Sequence, residues 1–101
     1  MLTKDKIIDV PLEKRLDLER YGVKRIGIFG SFVRNEQGPD SDIDFWVEYE
    51  PGKKSFQNYM QLAFWLEDTF QRKIDLITPE SISRHIAPYV EKELEYVPLS
   101  A

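Results

Sequence analysis

The sequence contains no cysteine, which removes a disulfide scaffold, a thiolate zinc site and a catalytic thiol together. It has no apolar run approaching the ~20 residues of a membrane span, and no signal peptide opens it. No internal repeat, low-complexity tract or linker interrupts it. Basic charge is also short. Fourteen Lys and Arg face 18 Asp and Glu, a net of -4, and broad nucleic-acid binding normally needs a basic face. These absences leave a soluble, cytoplasmic domain that binds neither membrane nor nucleic acid directly as the expectation.

What is present suits one domain over residues 1–101. At that length roughly 65% of the unfolded chain's area is buried on folding, about enough for one ordinary core. A hydrophobic fraction of 42% and an aromatic fraction of 13% exclude disorder by composition. The acid is unevenly spread. Residues 26–50 hold one basic group, Arg34, against Glu36, Asp40, Asp42, Asp44, Glu48 and Glu50, a net of -5, while residues 1–25 carry +2, 51–75 carry +1 and 76–101 carry -2. A solvated acidic loop is one reading of that stretch. A site for a hard cation is the other.

Along the chain, residues 11–21 read as a helix, with Pro11 at its first position, Leu12 and Leu16 on one face, and Gly22 as its stop. Lys24 to Phe29 reads as a buried strand ended by Gly30-Ser31, with a short helical turn from Ser31 to Asn35. Gly38-Pro39-Asp40-Ser41 is a loop by its turn chemistry. Ile43 to Tyr49 alternates as a strand, placing Ile43, Phe45 and Val47 on one face and Asp44, Trp46 and Glu48 on the other. Ser55 caps a helix whose apolar residues Phe56, Tyr59, Met60, Ala63, Leu66 and Phe70 keep the 3.6 period. Lys73 to Thr78 is a third strand, and a last helix runs from about Glu80 to Glu95, broken or kinked at Pro88. The order αβαβαβα predicts an α+β domain, α/β-like, with a small mixed sheet flanked by helices. The helical connection implies parallel pairing of the second and third strands through a right-handed crossover. The first two strands run antiparallel if Gly30-Ser31 and Asp42 are to meet.

Three features converge on that architecture. Gly30 lets a ligand approach the backbone, and the free N–H groups of the following turn with the Ser31 hydroxyl suit an anion such as phosphate. The ordinary turn and cap is the competing reading. Asp42 and Asp44, two apart on a strand, point to one side about 6–7 Å apart, able to converge on a divalent ion or to guard a sheet edge from pairing. Asp75 stands between Ile74 and Leu76 on the third strand, satisfied either by a metal or by Arg72 or Lys73. Ten residues separate Ser31 from Asp42, room for one short helix and a turn. Arg34 lies one turn into that helix, as a phosphate partner or as an exposed Arg paired with Glu36 or Asp40.

Phe29-Gly30-Ser31-Phe32-Val33-Arg34, then Asp40-Ser41-Asp42-Ile43-Asp44-Phe45, then Lys73-Ile74-Asp75-Leu76-Ile77 resemble the G-S-x10-D-x-D signature and third carboxylate of minimal nucleotidyltransferases, in the DNA polymerase β-like superfamily. The resemblance spans nearly the whole chain, and the one variation is Val33 where many relatives carry alanine. It implies the nucleotidyltransferase fold and transfer of AMP from ATP to a hydroxyl with release of pyrophosphate. Asp42, Asp44 and Asp75 would be the catalytic carboxylates and ligands of two Mg²⁺ ions, Asp75 also orienting the hydroxyl. Gly30 and Ser31 would hold the β- and γ-phosphates with Arg34 assisting. Free-standing domains of this size resemble the antitoxin half of HEPN/MNT toxin–antitoxin pairs. That implies adenylylation of a tyrosine on a partner HEPN ribonuclease toxin, within a hetero-oligomer. A non-catalytic antitoxin acting by occlusion and a small-molecule, aminoglycoside-type nucleotidyltransferase are the alternatives.

The remaining polar and aromatic residues carry less. His85, the only histidine, reads as a surface or capping residue. Trp46 and Trp65 read as core or partner-contact residues. Tyr49 and Tyr59 are candidates to stack adenine, Lys53-Lys54 read as a solvated loop or, second, as a contact for phosphate or the partner, and Tyr96-Val97-Pro98-Leu99 is an apolar end that could pack on the core or meet a partner.

Overall fold

A computed structural model describes residues 2–99. The β-branched and aromatic stretches form strands β1 (Val23–Phe29), β2 (Ile43–Tyr49) and β3 (Ile74–Ile77), joined by a two-residue β4 (Glu95–Tyr96). The sheet order is β3-β2-β1-β4. β1 pairs antiparallel with β2 and with β4, and β2 pairs parallel with β3. This is the mixed sheet the alternation predicts, with β4 as an addition.

Alternation along β1 and β2 divides the core. On one face Ile26, Ile28, Ile43, Phe45 and Val47 are sealed against Ile7, Leu18, Leu62 and Leu66 from helices α1 (Lys4–Glu13), α2 (Arg15–Arg20) and α4 (Phe56–Phe70). On the other face Phe29 and Trp46 pack against Val90 of α5 (Ala87–Glu93). Between β1 and β2 lies only α3 (Ser31–Arg34), ended by Asn35 in the left-handed region at φ 59°.

The amino-terminal helix begins earlier than its proline suggests. Thr3 caps α1 by accepting from the Lys6 N–H, and Pro11 lies buried inside the helix, not at its start. Proline removes one backbone bond to the preceding turn, and three residues later the chain turns at Lys14 and restarts as α2. Leu16 is therefore 69% exposed, and Leu18 takes the buried place. In α4 the Ser55 cap holds, accepting from the Asn58 N–H at 3.1 Å. Phe56 at the first position points outward, 82% exposed, while Leu62 and Leu66 form the buried stripe.

The carboxyl-terminal stretch is not one kinked helix. Pro79–Ser81 is a single 3-10 turn, and Pro88 stands in the first turn of α5, where a missing N–H does no harm. The chain then extends so that Val97, 4% exposed, packs in the main core. Glu48 ties the edge together: it accepts from Arg25 at 3.0 and 2.8 Å, from Trp46 Nε1 at 3.0 Å and from the Tyr96 hydroxyl at 3.0 Å. Burial pushes its carboxyl up, but these three donors outweigh it and hold the group below its usual value. Among the described residues no helix is long and apolar enough to cross a membrane.

Candidate active site

The antiparallel register aligns Phe29, the last residue of β1, with Asp44 on β2. Gly30 follows at φ 81°, ψ -150°, a backbone region essentially closed to residues with a Cβ. A methyl group built on Gly30 would overlap the Asp44 carboxylate. The strand-end glycine thus leaves its backbone bare directly beside the acid, and Ser31 opens the short helix next to it. The ten-residue excursion from Phe32 to Ser41 returns to where it left, as the spacing predicts.

On the other side of β2, parallel register sets Asp44 beside Asp75 of β3. Asp42 and Asp75 are exposed and Asp44 is half-buried between them. Burial, then Asp75, then Asp42 push the Asp44 carboxyl up to about 6; Arg34 pulls the other way and Glu93 adds to the rise. Three carboxylates and no nitrogen or sulfur donor form a hard oxygen set of the kind Mg²⁺ prefers. The like-charge strain on Asp44 is what a bound cation would relieve. The residues fit such an ion. Among the described residues no three His, Cys, Asp or Glu side chains already stand gathered closely enough to hold a metal ion; the fit lies in the donor chemistry and the strand register.

Arg34 is exposed and engaged by two acids, Glu36 at 3.1 Å and Glu93 at 3.0 Å. The Glu36 pair is the one its sequence neighbourhood offers, but Glu93 was not singled out by any pattern. Its carboxylate, from the last residue of α5, also accepts from the Gly30 N–H at 2.8 Å. Arg72, a candidate partner for Asp75 by sequence, turns instead to the loop before Asp42. Its Nη1 donates to the Ser41 carbonyl at 3.0 Å, and its guanidinium lies over the Phe32 ring at 5.4 Å, tethering the loop that leads into Asp42. A polar cleft of about 190 Å³, lined by Ser41, Asp42, Arg72 and Lys73 among others, opens there. Larger hollows of about 280 and 580 Å³ lie against α1 and α4 and contain none of the three acids; the polar cleft holds one of them, Asp42.

Other candidates lie elsewhere. Tyr49 and Tyr59 pack into the main core, on the face of the sheet opposite Asp44. Tyr59 donates to the Leu76 carbonyl at 2.6 Å, and burial pushes the Tyr49 hydroxyl up to about 12, so neither is free to stack a base. His85 is exposed, with its backbone N–H donating to Ser83 Oγ. Trp46 is core, while Trp65 of α4 packs against Tyr21 at the end of α2, ring centroids 6.3 Å apart. Lys54 pairs with Glu80 at 3.2 Å.

A family model described as a nucleotidyltransferase domain matches residues 12–99. The sequence is 37% identical over 98 residues to the protein adenylyltransferase MntA of Thermococcus cleftensis, covering 96% of this chain and 98% of that protein. A solved structure described provisionally as a minimal nucleotidyltransferase superposes with a TM-score of 0.77 at 25% identity, covering 93% of this chain and 95% of that one. Another, a tri-AMPylated Shewanella oneidensis HEPN toxin in complex with an MNT antitoxin, matches in fold with a TM-score of 0.61 at 19% identity, over 89% of this chain and 71% of that one.

Proposed function

The chain belongs to the nucleotidyltransferase domain family, and from that premise we propose that it is a cytoplasmic protein adenylyltransferase acting as an antitoxin. Its substrates are ATP and a hydroxyl, a tyrosine on a HEPN ribonuclease with which it forms a hetero-oligomer. The single observation that carries the reading is the register placing Asp44 between Gly30 and Asp75. The T. cleftensis relative, named a protein adenylyltransferase, and the S. oneidensis complex, with its AMPylated HEPN toxin, support the choice of acceptor.

In this reading Asp42, Asp44 and Asp75 hold two Mg²⁺ ions. Bound Mg²⁺ supplies charge neutralisation at the attacking and leaving oxygens of an in-line displacement. The Gly30 backbone and Ser31 hydroxyl hold the β- and γ-phosphates, Arg34 adds positive charge, and Asp75 orients the tyrosine hydroxyl and accepts its proton. The tyrosine oxygen forms a bond to the α-phosphorus as the bond to pyrophosphate breaks. Positioning does most of the work, as in other phosphoryl transfers.

The test incubates the chain with ATP, Mg²⁺ and a HEPN-type protein taken from a neighbouring gene. The expected product is that partner carrying one or more AMP groups by intact mass, lost with Asp42→Asn/Asp44→Asn. An unmodified partner rejects the reading. A toxin still neutralised by the double variant at native expression favours occlusion.

A further inference from the structure

The phosphate donors of the proposed site already hold an anion. Glu93 Oε1 accepts from the Gly30 N–H at 2.8 Å and from Arg34 Nη1 at 3.1 Å, and its Oε2 takes the same Nη1 at 3.0 Å. A carboxylate and a phosphate present the same acceptor chemistry to such a pair. We propose that Glu93 is an internal competitor for the nucleotide's phosphates. Its carboxylate latches onto Gly30 and Arg34 and must be displaced before ATP is seated. The inference rests on the reading that these two groups receive phosphate.

Glu93 is well placed to let go. It is the last residue of α5, where the partial negative charge of a helix terminus opposes a carboxylate. Its own helix therefore gives it no reason to stay, and the contacts across to residues 59 and 63 positions away hold it. The side chain is 24% exposed, so release returns the charge to water and leaves no buried ion behind. It also adds to the negative surroundings of Asp44, so departure from the site eases the approach of a polyanion.

The experiment measures ATP affinity of the full chain by titration calorimetry at saturating Mg²⁺, with no acceptor protein present, and follows the Gly30 amide by NMR. Glu93→Gln and Glu93→Ala are compared with Glu91→Gln, an exposed acid on the same helix that changes net charge equally without touching Gly30. Charge-assisted hydrogen bonds are strong enough that the expected result is about tenfold tighter binding for both Glu93 variants, an unchanged constant for Glu91→Gln, and an ATP-dependent shift of the Gly30 amide in all. Unchanged or weaker binding in the Glu93 variants overturns the latch, because Glu93 would then be preorganising the donors. Equal tightening by Glu91→Gln overturns it too. In either case a Gly30 amide that still responds to ATP leaves the phosphate reading standing. A Gly30 amide that ignores ATP in every protein overturns that reading and the latch with it.

Discussion

Asp44 bears a cost that a purely structural residue would not retain. Its carboxyl is raised from 3.8 to about 6, so between those values the folded chain binds a proton that the unfolded chain has lost. Stability therefore falls as pH rises through that window, and the full penalty stands above about 6. Replacing Asp44 with Asn removes the charge. Discounting for partial solvent screening, the expected gain at pH 7.5 is about 1–2 kcal/mol, read from urea midpoints and vanishing below pH 4, together with loss of adenylyl transfer. A variant more stable and inactive is the signature of strain kept for function. A variant less stable at pH 7.5 would mean that Asp44 is instead held by a favourable partner. The Gly30 backbone is the matching case in conformation: its φ of 81° and the adjacent acid both require the missing Cβ.

Elements differ in how openly the sequence announces them. β2 and the Gly30-Ser31 to Asp42-x-Asp44 spacing were legible because strand alternation and a fixed loop length act locally. α1 was not, because Pro11 reads as a helix start while the capping Thr3 eight residues earlier leaves only a weak signal. β4 was hidden for a different reason. Two residues carry no period, and Glu95–Tyr96 becomes a strand only by docking on β1. Glu93 was silent, an ordinary charge in sequence that acts through a partner 63 residues away, and Arg72, legible only as a possible partner of its neighbour Asp75, instead holds a carbonyl 31 residues away. Docking of β4 depends on Gly27, where an added Cβ would stand 2.7 Å from the Glu95 carbonyl oxygen. Gly27→Val should push β4 outward and cost about 1–3 kcal/mol, with faster hydrogen exchange at Tyr96 and Val97 than at β2. Full stability with a protected β4 would show that the edge has room to shift.

The whole molecule has one deep core and one thin one. The α1, α2 and α4 face supplies most of the sealed side chains, whereas the face bearing Asp44 keeps Phe29, Trp46 and Val90 under α5 and otherwise opens to the acids. A net charge of -4 with three carboxylates on that face leads to an expected response of the whole fold to cations. A ligand that binds only the folded state at about 100 times its Kd adds about 2.7 kcal/mol. Mg²⁺ at millimolar levels should accordingly raise the melting temperature by several degrees, about 4 °C or more per kcal/mol at this size. Asp42→Asn/Asp44→Asn should abolish the rise, while an equal rise in that variant would place the cation elsewhere.

The turn of β1 back onto β2 also has a temporal consequence. Gly30, Ser31, Asp42 and Asp44 lie within fifteen consecutive residues, joined by a loop whose closure takes on the order of 10–100 ns. Asp75 arrives only after α4 has crossed over to set β3 in parallel register, a slower, less local step. The expected order of assembly is a quickly closed anion-facing hairpin followed by the acid that completes it. The acid triad is then completed after the hairpin, with the still less local docking of β4 on β1 left to follow.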